Sequence, residues 1–244
     1  MTPSIPSAVS PIPRERLVAA FGGAVVLSLA TGLLPYGRAC IYPFALFATW
    51  AHEMGHGVGA WITGNRFVEI ELYRDLGGQA LTSGVEGWSQ VVVSSMGLLG
   101  PALLGGVVMV AGSRAASAPH VLSGLSAAVV LSTLFKVRNG FGFVAMLLIG
   151  LALAVIARWG SQLVRVVLVQ FLAVQLALAA WSTRDYLFVS TFEHNGIQRS
   201  DTQRIADELF APHWFWGAVI GGLSIALLIW AFWVAWLRPM TPDR

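Results

Sequence analysis

Charged side chains are scarce in this sequence. Only 11% of its 244 residues are charged, whereas 56% are hydrophobic. A soluble domain carries about 25% charged residues, and a chain with so few of them has too little polar surface to face water. The composition therefore excludes a soluble globular protein. Long apolar runs instead predict an all-α integral membrane protein.

Cysteine and lysine are almost absent. Cys40 is the single cysteine, which excludes an intrachain disulfide and a zinc site built from several thiolates. Lys136 is the single lysine among fifteen basic residues, and the arginines stand singly near the ends of apolar runs. That distribution is typical of anchoring at a membrane interface, and it lacks the basic clusters of nucleic-acid-binding proteins. We therefore expect the lipid bilayer, and no nucleic acid, as a partner.

One membrane domain is predicted, flanked by two tails. Residues 1–13 are rich in proline and small polar residues, which predicts a disordered tail. The membrane domain is predicted over 14–238 and a short C-terminal tail over 239–244. The first apolar run, Leu17–Leu34, follows two arginines but has no convincing signal-peptide cleavage site after it, so we expect it to be retained as a span.

The apolar runs predict a bundle of six or seven transmembrane helices. The count depends on Val121–Phe135 and Phe141–Ala157, because each is short for a span of about 20 residues. These two runs form either two short helices or one broken pair.

A polar insert separates the second and third runs. Within it Val68, Ile70 and Leu72 alternate with polar residues, and Gly77-Gly78 supplies a turn. Alternation with period two before a turn predicts a β-hairpin at about 66–83.

The second apolar run contains His52-Glu53-Met54-Gly55-His56, an H-E-x-x-H motif. A spacing of four residues puts both imidazoles on one face of a helix, one turn apart, where both can bind one Zn²⁺. Glu53 lies beside them, as a general base that takes a proton from a water activated by zinc. Ionisable residues in a membrane helix are costly and indicate function. The motif therefore predicts a catalytic zinc site.

The zinc-helix sequence from Trp50 to Gly64 resembles that of the site-2 protease family, and most closely its short bacterial branch of peptidase M50B-like proteins. Further stretches resemble the same branch: Gly97–Ala102, Arg138–Gly142, Ser200–Ala206, Pro212 and Trp216. The resemblance covers nearly all of residues 41–237. It implies a multi-pass protein of the bacterial inner membrane that cleaves membrane-spanning or membrane-anchored protein substrates.

The resemblance also implies a third zinc ligand from a distal acidic residue, and Asp201 occupies the matching position. Many relatives have glycine after this aspartate, where this chain has Thr202. Ser200 and Gln203 form an S-x-x-Q capping box, which predicts a helix with Asp201 in its first turn. The same loop holds three alternative ligands: Asp207, Glu193 and His194.

Substrate-binding residues are predicted in two places. The resemblance implies that a β-element beside the zinc helix pairs with unwound substrate, and Val68, Ile70 and Leu72 are the candidates in the hairpin. Asn139, beside Arg138, lies between two apolar runs. It is either part of a polar helix junction or a hydrogen-bond donor that steadies the scissile carbonyl.

Three functions remain open from the sequence. The first is an intramembrane zinc metalloprotease. The second is a non-catalytic, protease-like subunit that binds or assembles membrane protein partners in a complex. The third is an integral zinc protease of the prenyl-protein-processing kind, which would use Glu193 as a ligand.

Overall fold

The computed structural model describes residues 13–31, 36–182, 187–193 and 197–238. Within these ranges the chain is mostly helical and contains two small antiparallel sheets. The tails predicted at 1–13 and 239–244 lie outside the described residues, apart from Pro13.

The described ranges contain seven long helices and one short helix. They are α1 (Arg14–Thr31), α2 (Gly37–Ile62), α3 (Trp88–Ala111), α4 (Ala118–Lys136), α5 (Gly140–Trp159), α6 (Gln162–Ser182), the short α7 (Asp201–Glu208) and α8 (His213–Phe232). A 3₁₀ turn at Ala115–Ser117 precedes α4, and a π-helical turn at Trp233–Leu237 continues α8.

Five of the described helices are long and apolar enough to cross a membrane: Trp88–Ala111, Ala115–Lys136, Gly140–Trp159, Gln162–Ala180 and His213–Leu237. The short runs around residue 138 thus form two separate helices, each of membrane-spanning length. Spans at α1 and α2 stay predictions. The first begins with Arg14, Glu15 and Arg16, and the second carries the polar H-E-x-x-H residues.

The backbones of α2 and α3 are in direct contact. Gly55 of α2 lies against the carbonyl group of Met96, and Gly100 of α3 lies against that of Ala51. A Cβ atom at position 100 would stand 2.5 Å from the Ala51 oxygen, so only glycine fits there. Small residues let two membrane helices approach this closely, and the contact fixes α3 against the motif-bearing helix.

The hairpin predicted at about 66–83 is confirmed. Strands β1 (Arg66–Leu72) and β2 (Gly78–Ser83) pair antiparallel. Helix α2 holds their turn, because the hydroxyls of Tyr42 and Thr49 donate to the carbonyl oxygens of Arg74 and Leu76, each at 2.9 Å. The hairpin therefore lies alongside α2.

The outer edge of β1 is closed by the segment between α4 and α5. The Arg138 N–H donates to the Ile70 carbonyl at 3.0 Å. The Asn139 side chain accepts from the Leu72 N–H at 3.1 Å and donates to the Leu72 carbonyl at 2.6 Å. Asn139 thus acts as a one-residue strand partner. The side chains of Ile70 and Leu72 are fully buried in the core.

The outer edge of β2 carries the opposite set of backbone groups. In an antiparallel pair, some facing residues do not hydrogen-bond each other. Each of these residues points its N–H and C=O groups away from the partner strand, towards the outer edge of its own strand. Ile70 and Leu72 bond away from β2, so their partners Ala80 and Gly78 point their groups away from β1. Strand β2 therefore presents its N–H and C=O groups on the side away from β1.

We expect Gly100→Ala to lower the stability of the detergent-solubilised protein. The new Cβ would overlap the Ala51 carbonyl, so α2 and α3 must separate, and overpacking of this kind costs about 1–3 kcal/mol. Thermal unfolding measures the effect. Gly124→Ala is the matched control, because this exposed helical glycine has no atom near the added methyl. Equal stability of the two variants would contradict a tight backbone contact.

Candidate metal centre

Three ligand atoms from two distant helices meet at one point. The Nε2 atoms of His52 and His56 are 3.1 Å apart, and Asp201 Oδ2 lies 3.3 Å from each. A tetrahedral zinc ion with bonds of about 2.0–2.1 Å needs neighbouring ligand atoms about 3.3–3.4 Å apart. The triangle fits this requirement, so the three side chains can hold a metal ion.

Helix α3 orients His56. The Nδ1–H group of His56 donates to the Val93 carbonyl at 3.0 Å, which directs Nε2 at the ligand triangle. Gly97 faces the flat side of the same ring, and a Cβ atom there would overlap the imidazole. The glycines of α3 thus provide both a close helix contact and the space for a ligand.

Asp201 is placed by the N-terminal cap of α7. Ser200 is the capping residue, and its hydroxyl oxygen accepts from the Gln203 N–H at 3.2 Å. That hydroxyl also donates to the Val189 carbonyl at 2.6 Å and lies 3.1 Å from the Thr202 hydroxyl. The helix predicted to begin at Asp201 is therefore confirmed. The fully buried Ser200 and Thr202 anchor the turn that carries the carboxylate.

The Asp201 carboxylate is buried among the imidazoles. Burial alone would raise its pKa, but the neighbouring His56 and His52 hold the pKa well below its usual range. The side chain is thus ionised at neutral pH, the form in which a carboxylate binds a metal.

Glu53 lies beside the triangle and is only 4% exposed. The backbone N–H of Ala80 donates towards its carboxylate, and Gly78 lies so close that a Cβ there would stand 2.6 Å from Oε1. Strand β2 therefore packs its backbone directly against this carboxylate. This contact needs glycine at position 78.

A cleft of about 240 Å³ connects these groups. Its floor holds His52, Glu53, His56 and Asp201. One wall is formed by β2, from Gly78 to Thr82, and α3 contributes Gln90 and Val93. The opposite wall holds three polar side chains: Gln198, Arg199 and Arg204. The ligand triangle, a carboxylate and a strand edge thus share one polar cleft.

The sequence did not predict the wall that holds Gln198, Arg199 and Arg204. It comes from strands β3 (Thr191–Glu193) and β4 (Ile197–Arg199), which pair antiparallel and lead into α7. A signal for this hairpin exists, since Asn195-Gly196 is a strong turn sequence between the two strands.

The residues predicted to bind substrate do not line this cleft. Ile70 and Leu72 are buried, Val68 is 37% exposed, and Asn139 bonds the Leu72 backbone. Their substrate-binding role stays a prediction.

Of the alternative third ligands, Asp207 pairs with Arg199 at 2.5 Å and stands apart from the triangle. His194 and the side chain of Glu193 lie outside the described residues.

The family described as Peptidase M50B-like matches the chain over residues 20–231. The chain belongs to this family. No curated protein and no solved structure matches it. Together with the five apolar helices, family membership makes this M50B-like protein an integral membrane protein of a peptidase family.

We expect the purified M50B-like protein to retain about one zinc ion per chain, as a three-ligand site requires. His56→Ala and Asp201→Ala each remove one corner of the triangle and should lose most of the metal. Asp207→Ala is the matched control, because this carboxylate lies on the same helix but bonds Arg199 and Gln203. Elemental analysis after metal-replete purification measures the zinc content of each variant. Full zinc content in Asp201→Ala would exclude this residue as a ligand.

Proposed function

We propose that this M50B-like protein is an intramembrane zinc metalloprotease that hydrolyses a peptide bond in a membrane-spanning or membrane-anchored protein. The observation that carries the proposal is the ligand triangle of His52, His56 and Asp201 in one cleft with the buried Glu53. The family match and the five apolar helices support a membrane substrate, and the bacterial inner membrane is the proposed location.

His52, His56 and Asp201 would hold the zinc ion. When bound, zinc would supply Lewis-acid activation of a water molecule and of the scissile carbonyl. The three ligands leave room for such chemistry, because a catalytic zinc site keeps one position free of protein ligands. The Val93 carbonyl fixes the tautomer of His56, and the α7 cap fixes the carboxylate of Asp201.

Glu53 is proposed as the general base. Its carboxylate accepts a proton as water adds to the scissile carbonyl carbon, and it returns the proton to the nitrogen as the C–N bond breaks. The products are a new carboxyl terminus and a new amino terminus. The Ala80 N–H and the Gly78 backbone hold the carboxylate in place for both transfers.

The edge of β2 is proposed to hold the substrate in an extended form. A helical substrate bonds its own carbonyls internally, so it must unwind before a carbonyl can be attacked. Pairing with the outward groups of Gly78 and with the Ala80 carbonyl would replace the lost hydrogen bonds, as in other cases of strand addition, while the Ala80 N–H stays directed at Glu53. This assigns substrate binding to the backbone of β2, since Asn139 already occupies the edge of β1.

Glu53→Gln is expected to reduce cleavage of a susceptible single-span substrate by at least about a hundredfold while zinc content stays unchanged, because the variant keeps the shape but loses the base. Glu86→Gln, an exposed acid in the loop before α3, is the control. Cleavage by Glu53→Gln at the wild-type rate would refute the mechanism. Absence of cleavage by both wild type and Glu53→Gln, with stable co-purification of other membrane proteins, would favour the non-catalytic subunit that binds membrane protein partners.

A scan of N-methylated peptides tests the proposed pairing with β2. Each peptide blocks one backbone N–H, and loss of one such bond weakens binding by about two- to tenfold. Binding to zinc-loaded Glu53→Gln protein should fall at every second position, because alternate residues of a strand face the same edge. A uniform response along the peptide would argue against strand pairing.

A further inference from the structure

Two arginines, Arg199 and Arg204, stand in the wall of the cleft formed by β4 and α7, and only one of them is neutralised. We call the polar side chains around the mouth of the cleft its rim. Arg199 forms an ion pair with Asp207 at 2.5 Å, and Asp207 also accepts from the Gln203 side chain at 2.7 Å. Arg204 has no carboxylate partner among the described residues. Its guanidinium group donates from Nε to the Arg199 carbonyl at 3.5 Å, and the described part of the chain leaves its other four N–H donors available.

Among the described residues that line this cleft, no carboxylate outside the metal centre balances Arg204. The other polar side chains of the rim are neutral: Gln79, Gln90, Gln198 and Thr82. The acids of the floor, Glu53 and Asp201, are buried and assigned to the metal centre. Glu208 follows Arg204 by one helical turn and lines an adjoining outer cavity together with it, but within the described residues it forms no ion pair with Arg204. The rim is therefore positive at Arg204.

The position of Arg204 is fixed relative to the reaction centre. It follows the proposed ligand Asp201 by three residues on α7, so their Cβ atoms are about 5–6 Å apart on the same helix face. An extended peptide advances about 3.3 Å per residue. A side chain held by Arg204 would thus belong to a residue within about three positions of the scissile bond.

We propose that Arg204 is a specificity residue that selects substrates with an acidic side chain within three residues of the cleaved bond. The inference rests on the proposed function, since it requires a peptide in this cleft. A guanidinium group matches a carboxylate with two parallel hydrogen bonds, and such charge-assisted pairs are stronger than neutral hydrogen bonds. Arg199 does not compete for this carboxylate because Asp207 already neutralises it.

Peptide binding to zinc-loaded Glu53→Gln protein tests the proposal without relying on catalysis. The probes are designed single-span peptides in detergent micelles, identical except for Glu or Gln at each of the central positions. At one position or two neighbouring ones, the Glu peptide should bind about tenfold more tightly than its Gln partner. Adding Arg204→Gln should abolish this difference, and adding Arg204→Glu should transfer the preference to a Lys peptide.

Arg114→Gln is the matched control and should keep the preference for Glu, because Arg114 is also exposed and has no carboxylate partner in the described ranges but lies outside the cleft. Equal binding, or no binding, of the Glu and Gln peptides would overturn the proposal. So would a preference that persists in Arg204→Gln, or an equal loss for both peptides, which would assign Arg204 to lipid headgroups.

Hydrolysis of the same peptides by protein with Glu53 intact separates this proposal from the proposed function. A preference for Glu in binding without hydrolysis would keep Arg204 as the residue that recognises an acidic side chain in a bound peptide and would refute the protease. Hydrolysis without any preference for Glu would support the protease and refute the role of Arg204.

Discussion

The meeting of two imidazoles on α2 with a carboxylate on α7 is the constraint on which the rest of the structure depends. The two helices are far apart in the chain, so a third element must bring them together. That element is α3. Its glycines lie against α2, and Val91 and Leu98 form a buried cluster with Ile205 of α7. The polar groups are thus assembled by apolar and backbone contacts around them, which suits a membrane, where each unpaired polar group is costly.

The local parts of the site could be predicted from the sequence, because their signals lie within a few residues. The spacing of His52 and His56 defines a helix face, and Ser200 with Gln203 marks the start of α7. The assignment of Asp201 needed a family resemblance. The structure adds why Thr202 is compatible with it: this fully buried residue faces the Ser200 hydroxyl and becomes part of the cap.

The non-local parts could not be predicted. Alternation of Val68, Ile70 and Leu72 identifies the side chains that point inward, but it does not tell which edge of the hairpin is closed. That depends on Asn139, which reaches the hairpin from the other side of α4. The role proposed for Arg204 likewise depends on which arginine Asp207 pairs with. Asp207 pairs with Arg199, and no pattern of single residues reveals this choice.

The asparagine at the edge of β1 also limits how many chains can join this sheet. An uncapped two-stranded sheet offers two edges and can grow from both, which invites pairing between copies of the same protein. Here one edge ends on a side-chain amide, and the other opens into a cleft of about 240 Å³. A further strand can therefore join this sheet only at the β2 edge, inside the cleft, so two copies of the protein cannot pair through their β1 edges.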